Sequence, residues 1–163
     1  MNDKKITYRF QIEKPDLKAI ERIVRSSGFF YAKEIDLAIE LAEEKIAQGK
    51  ASSYEFLFGE SADMIVAYTC FGLIPATAAS YDLYWIAVDE QFRKKGYGRE
   101  IMLKTEEVIY SLGGKHIYAE TSSRDLYRPT HFFYENCGYL REAFLKDFYA
   151  EGDGKIVYSK VLK

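Results

Sequence analysis

Polar and apolar residues alternate at period two along Thr7-Tyr8-Arg9-Phe10-Gln11-Ile12, which predicts a strand over 7–12; Lys14-Pro15-Asp16 ends it with a helix-start signal. Apolar positions then recur at helical spacing, first as Leu17, Ile20 and Val24, then as Ile35, Ala38, Ile39, Ala42 and Ile46. Ser26-Ser27-Gly28 separates these two amphipathic helices, and Gly49 ends the second. Short β-type runs follow at Tyr54 to Phe58, Met64 to Leu73 and Tyr81 to Val88, divided by Gly59-Glu60-Ser61 and Pro75-Ala76-Thr77, so an antiparallel meander is expected. A helix from about Tyr97 to Leu112 stops at Gly113-Gly114. His116 to Glu120 reads as a strand, Pro129 to Asn136 as a short helix with proline at its first position, and Tyr139 to Phe148 and Lys155 to Val161 as two final strands. The predicted order is β-α-α-β-β-β-α-β-α-β-β, a mixed α/β chain.

Composition narrows the class. The 163 residues contain no repeat, linker or low-complexity block, so a single domain over 1–163 is expected. With a formal net charge of -2 there is no excess of positive charge to neutralise a nucleic-acid backbone. No signal-peptide pattern opens the chain, and no apolar run reaches the roughly 18 residues of a membrane span, which predicts a cytoplasmic protein with no membrane partner. Cys70 and Cys137 lack CxxC spacing, and His116 and His131 lack HExxH context, so neither a disulfide framework nor a metal centre is expected. Aromatic residues make up 16% of the chain, which suits a sheet-rich core or an aromatic-lined pocket.

The sharpest local signal is Arg93-Lys94-Lys95-Gly96-Tyr97-Gly98-Arg99, between the strand ending Trp85-Ile86-Ala87-Val88 and a helix. At a helix N-terminus, backbone N–H groups lack intrahelical partners and the macrodipole is positive, so an anion gains hydrogen bonds and field together. Gly96 and Gly98 permit close backbone approach, and Arg93, Lys94, Lys95 and Arg99 add charge-assisted contacts. The segment is neither a P-loop, which needs GxxxxGK and then Ser or Thr, nor a dinucleotide fingerprint, whose third glycine would stand at Ile101.

In this segment the sequence resembles the GNAT superfamily of N-acetyltransferases, whose acetyl-CoA signature (Gln/Arg)-x-x-Gly-x-(Gly/Ala) is matched by Arg93, Gly96 and Gly98. A second family motif is matched by Phe133-Tyr134-Glu135-Asn136-Cys137-Gly138-Tyr139. The resemblance implies a central, mostly antiparallel sheet of six to seven strands flanked by about four helices. It implies acetyl-CoA as acyl-donor cosubstrate, with its phosphates on 93–99 and its pantetheine arm pairing the backbone of Ile86 and Val88. The family often has an Asn seven residues before the motif tyrosine; here that position is Tyr127, in the loop 121–128. The resemblance also makes Tyr134 the general acid toward the departing thiolate. Asp82, six residues before Val88 on the strand shared with Tyr84, stands at the offset of the catalytic Glu of histone-acetylating members. Glu120 is the reserve base, and His131 reads as a surface residue.

An amine of pKa about 10.4 is neutral in only about one part in a few thousand at pH 7, so a base has work to do. Phe30, within Phe29-Phe30-Tyr31, and Tyr149, in the final loop Lys146 to Gly154, are expected to wall an acceptor pocket with Tyr84 and Glu120. The functional expectation is acetyl transfer to a primary amine of a small molecule or peptide by direct attack. Transfer of a longer acyl chain and a non-catalytic acyl-CoA sensor or assembly module are the alternatives, and a homodimer is left open.

Overall fold

The computed structural model describes residues 6–163. Its main elements are β1 (Thr7–Arg9), α1 (Asp16–Ser26), α2 (Ala32–Gln48), β2 (Glu55–Ser61), β3 (Met64–Leu73), β4 (Ser80–Val88), α3 (Tyr97–Ser111), β5 (His116–Ser122), α4 (Arg128–Asn136), β6 (Leu140–Ala150) and β7 (Asp153–Val161). The seven strands form one sheet in the order β1-β2-β3-β4-β5-β7-β6. The β4–β5 pair is parallel, as a crossover through α3 requires, and β1–β2, β2–β3, β5–β7 and β6–β7 are antiparallel. Class, element order and strand number agree with the expectation from sequence. No helix among the described residues is long and apolar enough to cross a membrane.

The chain divides into two compact units, one holding residues through Gly72 with Trp85–Thr105, the other Leu73–Tyr84 with Glu106–Lys163. In the first, Ile20, Ile23 and Val24 of α1, Ala38 and Ala42 of α2, and Phe56, Phe58 and Tyr68 of the meander are buried. Phe56, Phe58 and Tyr68 stack with centroids 6.1 to 6.4 Å apart, the aromatic cross-strand packing that the composition anticipated. One buried polar pair, Thr69 Oγ1 and Thr105 Oγ1 at 2.8 Å, is satisfied internally.

Two predicted boundaries in this unit are corrected. Strand β1 stops at Arg9, because that side chain reaches forward to the Gln11 carbonyl and to Asp16 at 2.9 Å, turning Phe10–Ile12 out of the ladder. Gly59-Glu60-Ser61 is not a turn; it lies inside β2, and the hairpin turns at Ala62 and Asp63, both left-handed with φ of 54° and 61°. Gly59 is instead a close-approach position, since a Cβ there would meet Ile6 Cδ1 at 2.6 Å.

In the second unit the register assigns side chains to two faces. Asp82 pairs with Tyr118, Tyr118 with Ser159, and Glu120 with Val157, so these residues share one face, half-buried or exposed apart from the buried Ser159. Leu83, Ala119 and Tyr158 share the other, with Ile117, Thr121 and Ile156, all buried. The final loop expected over Lys146–Gly154 is shorter than expected: β6 runs to Ala150 and the turn of the hairpin is Glu151-Gly152 alone. The pairing of β6 with β7 is irregular between Leu145 and Ala150, which leaves 146–149 out of the regular ladder.

Candidate active site

The segment between β4 and α3 is a candidate anion cradle. Lys94 and Gly96 are both left-handed, at φ of 60° and 88°, and the Gly96 carbonyl already accepts the Glu100 N–H at 3.1 Å, which makes Gly96 the helix N-cap. A lysine at positive φ carries a conformational cost that clusters at ligand sites. The following N–H groups of Tyr97, Gly98 and Arg99 lie in the first turn of α3, the orphan donors of a helix start. Lys94, Lys95, Gly96 and Arg99 are exposed. Arg93 lies over the Phe29 ring at 5.4 Å and Lys95 over Phe92 at 4.9 Å, so aromatic faces hold two of the four cations near the turn.

A support for this cradle was not read from sequence. Asp89, 3% exposed, accepts the Gln91 N–H at 3.0 Å and is ion-paired with Arg22 of α1, whose other guanidinium nitrogen donates to the Ile65 carbonyl at 2.9 Å. Ser26 Oγ accepts the Glu90 N–H at 3.2 Å, so α1 holds the entrance of the loop at two points. Their sequence separation of more than sixty residues leaves no local signal. Asp89→Ala leaves the Gln91 N–H and Arg22 without this carboxylate. It is expected to cost about 2 kcal/mol of stability, a partly exposed Arg22 reducing the full penalty of a broken buried pair, as a shifted chemical-denaturation midpoint would show.

Tyr134 is positioned by the end of α4. The Tyr139 N–H donates to the Tyr134 carbonyl at 3.0 Å and the Gly138 N–H to the Glu135 carbonyl at 3.0 Å, with Gly138 left-handed at φ 85°. This is a Schellman cap, and its usual apolar contact across the cap is the Tyr134–Tyr139 ring pair, 5.6 Å apart. Thus Tyr134, Gly138 and Tyr139 of the motif are parts of one capping device. Tyr134 also stacks on Tyr158 at 5.3 Å and meets Phe133 at 5.8 Å. Burial pushes its phenol well above the usual value, with Cys137 and Tyr158 adding to the shift, so the hydroxyl stays protonated at physiological pH. Tyr158 donates to Glu135 Oε1 at 3.1 Å and is itself pushed up to about 12, chiefly by burial.

Asp82 and Glu120 line one cleft of about 430 Å³, with Tyr118 and Val157 beside them and Ile74, Thr77 and Ser80 at its end. Burial, then the neighbouring Glu120, raises the Asp82 carboxyl; Lys155 opposes the shift. Glu120 accepts from Lys155 Nζ at 2.8 Å. The cleft lies on the sheet face opposite to that of Tyr158, on which Tyr134 stacks.

The other expected residues fall as follows. Ile86, Val88 and Tyr84 are half-buried on the β4 face that carries Asp82. Phe30 meets Trp85 with centroids 5.0 Å apart, and the buried Trp85 indole N–H has no hydrogen-bond partner among the described residues. Tyr149 is half-exposed within β6 and edge-on to Phe148 at 5.0 Å. Tyr127 is buried beneath the Arg124 guanidinium, 5.3 Å from its ring, in a short 3-10 turn before α4. His131 is corrected from a free surface residue: its Nε2 is 2.8 Å from the Ser122 carbonyl, tying α4 to the end of β5.

Comparison with known proteins agrees with this arrangement. The Acetyltransferase (GNAT) family profile matches residues 17–139, which span both compact units. A crystal structure of a Desulfovibrio desulfuricans protein assigned to the GNAT family superposes with a TM-score of 0.95 at 39% identity, covering 98% of this chain and 100% of that one. An aminoglycoside 6'-N-acetyltransferase complexed with coenzyme A shares the fold at TM-score 0.78 and 19% identity, over 98% and 97% of the two chains. So does yncA of Salmonella typhimurium, solved with acetyl-CoA, at TM-score 0.73 and 17% identity, over 98% and 95%. Among curated proteins none matches the sequence. A strand-to-helix anion cradle, a capped tyrosine helix and a profile match over most of its length establish that this chain belongs to the GNAT family of acetyltransferases.

Proposed function

We propose that the chain, working as one domain, transfers the acetyl group of acetyl-CoA to a primary amine by direct attack. The observation that carries this reading is the buried phenol of Tyr134, kept protonated at the capped end of α4 in a chain of the GNAT family. Asp82, directly or through one water, takes a proton from the incoming ammonium. The free nitrogen attacks the thioester carbonyl, the C–N bond forms, and the C–S bond breaks as the tetrahedral intermediate collapses. Tyr134 donates its proton to the departing thiolate; the second proton, lost by nitrogen as the amide forms, passes through solvent to restore the phenol, and Asp82 releases its own proton to solvent.

The residues of the cradle suit a polyphosphate. Arg93, Lys94, Lys95 and Arg99 surround a helix start, with Gly96 and Gly98 leaving room for backbone N–H groups to reach oxygen, while the backbone of Ile86 and Val88 serves the pantetheine amides. Tyr84 and Tyr149 supply apolar surface around the acceptor. Acetyl-CoA at about a hundred times its dissociation constant should stabilise the fold by about 2.7 kcal/mol, read as a rise in melting temperature; no rise with saturating cofactor sinks the cosubstrate assignment. The activity is tested with a panel of primary amines, following thiol release and the mass of the product. Hydrolysis of acetyl-CoA without any N-acetyl product would refute amine transfer.

A further inference from the structure

Within the cleft, the charges are unequally committed. Lys155 is nine-tenths buried, and its ammonium lies 3.7 Å from the centre of the Phe148 ring and 2.8 Å from Glu120 Oε2. A buried ammonium needs a partner, and Glu120 is the one it has in the cleft. The nearest other acid on β7, Asp153, is occupied by Arg124 at 3.2 Å and by the Ser122 hydroxyl at 2.5 Å. Glu142 accepts from Ser159 at 2.6 Å and does not line the cleft. Among the described residues Asp82 is the cleft carboxylate with no ion pair; burial and Glu120 oppose its charge, and Lys155 favours it from a distance without pairing. Two carboxylates and one ammonium leave the cleft a single negative charge, while its remaining lining, Ile74, Thr77, Ser80, Tyr118 and Val157, is neutral.

Resting on the transferase reading above, we propose that Lys155 determines the charge specificity of this cleft, so that the acceptor is a primary amine carrying one positive charge on an otherwise uncharged body. Such an acceptor places its ammonium on Asp82 and its body against Tyr118, Val157 and Ile74. A second ammonium would have to displace Lys155 from Glu120, stranding a buried cation under Phe148, and would meet that cation's repulsion. The role is one of specificity: Lys155 touches neither reacting atom but decides how many carboxylates an acceptor can use.

The test compares a linear alkyl monoamine with the diamine of equal chain length, against the parent enzyme and Lys155→Gln. Each amine is measured for kcat/KM by thiol release and, separately, for binding by calorimetry with no cofactor present. The parent should favour the monoamine. Lys155→Gln frees Glu120 and should move the monoamine-to-diamine ratio by about tenfold toward the diamine, the scale of one charge pair in a partly solvated site. Lys155→Arg keeps the charge and should keep the parent preference. Glu120→Gln alters the exposed partner and provides a second variant should Lys155→Gln fold poorly; by cancelling the cleft charge it should weaken binding of both amines. A diamine preference in the parent, an unchanged ratio in Lys155→Gln, or no amine binding at all overturns the proposal. Binding that obeys the charge rule with no N-acetyl product refutes the transferase reading and leaves the charge rule standing.

Discussion

Tyr134→Phe is expected to lower turnover by about 10² to 10⁴ fold, the usual contribution of a positioned proton donor, while acetyl-CoA affinity and melting temperature stay near those of the parent. The ring packs against Phe133, Tyr139 and Tyr158, and Phe retains those contacts. Phe differs from Tyr134 by the hydroxyl alone, so the change isolates the proton. The Schellman cap is made by backbone groups of Tyr134, Gly138 and Tyr139 and survives the substitution. Steady-state rates on an acceptor shown to be acetylated decide the matter: turnover within about threefold of the parent removes Tyr134 from the acid role.

Asp82→Asn should depress turnover at neutral pH by an amount in the same range, with partial recovery as pH rises and free amine accumulates. Stability should move the other way. Because the folded state raises the Asp82 carboxyl above its ordinary value, the folded protein holds that proton more tightly than the unfolded chain does. Its favourable contribution is therefore present below the unfolded pKa and lost as pH rises through the folded one. At pH 7 the ionised group opposes folding, and the amide should leave the melting temperature unchanged or slightly higher. A variant less active and no less stable separates a catalytic carboxylate from a structural one. An unaltered pH–rate profile in Asp82→Asn would move the base to Glu120 or to solvent.

Much of the fold was legible because its elements obey single periods. The α1 and α2 helices repeat at 3.6, β3 and β4 stand between turn residues, and Gly49, Gly113 and Gly138 end helices. The misreadings come from residues whose role is set by distant partners. Gly59 looks like punctuation but is a flat place for Ile6; the turn falls on Ala62-Asp63, where alanine is a poor left-handed residue and gives no signal. The strand after Arg9 was cut short by an ion pair to Asp16, and the loop expected from Lys146 is instead strand to Ala150, its register with β7 irregular over 146–149. At the site, motif spacing marked the cradle and Tyr134, whereas Arg22, Asp89 and Lys155 act through contacts across dozens of residues and have no local pattern. Asp82 was found by its offset on β4, and Glu120 by standing on the neighbouring strand; only the register puts both carboxylates into one cleft.

The strict alternation of side chains along β4 and β5 also bears on how this enzyme can change over generations. A single-residue insertion or deletion in the paired stretch of either strand would carry its downstream side chains to the opposite face, exchanging Asp82 for a core position or Glu120 for Ala119. Two-residue changes preserve the facing and shift the carboxylates only along the strand. Length variation among descendants of this chain is thus filtered by parity: even steps in these strands keep both carboxylates on the cleft face, while odd steps abolish the cleft and bury a charge together.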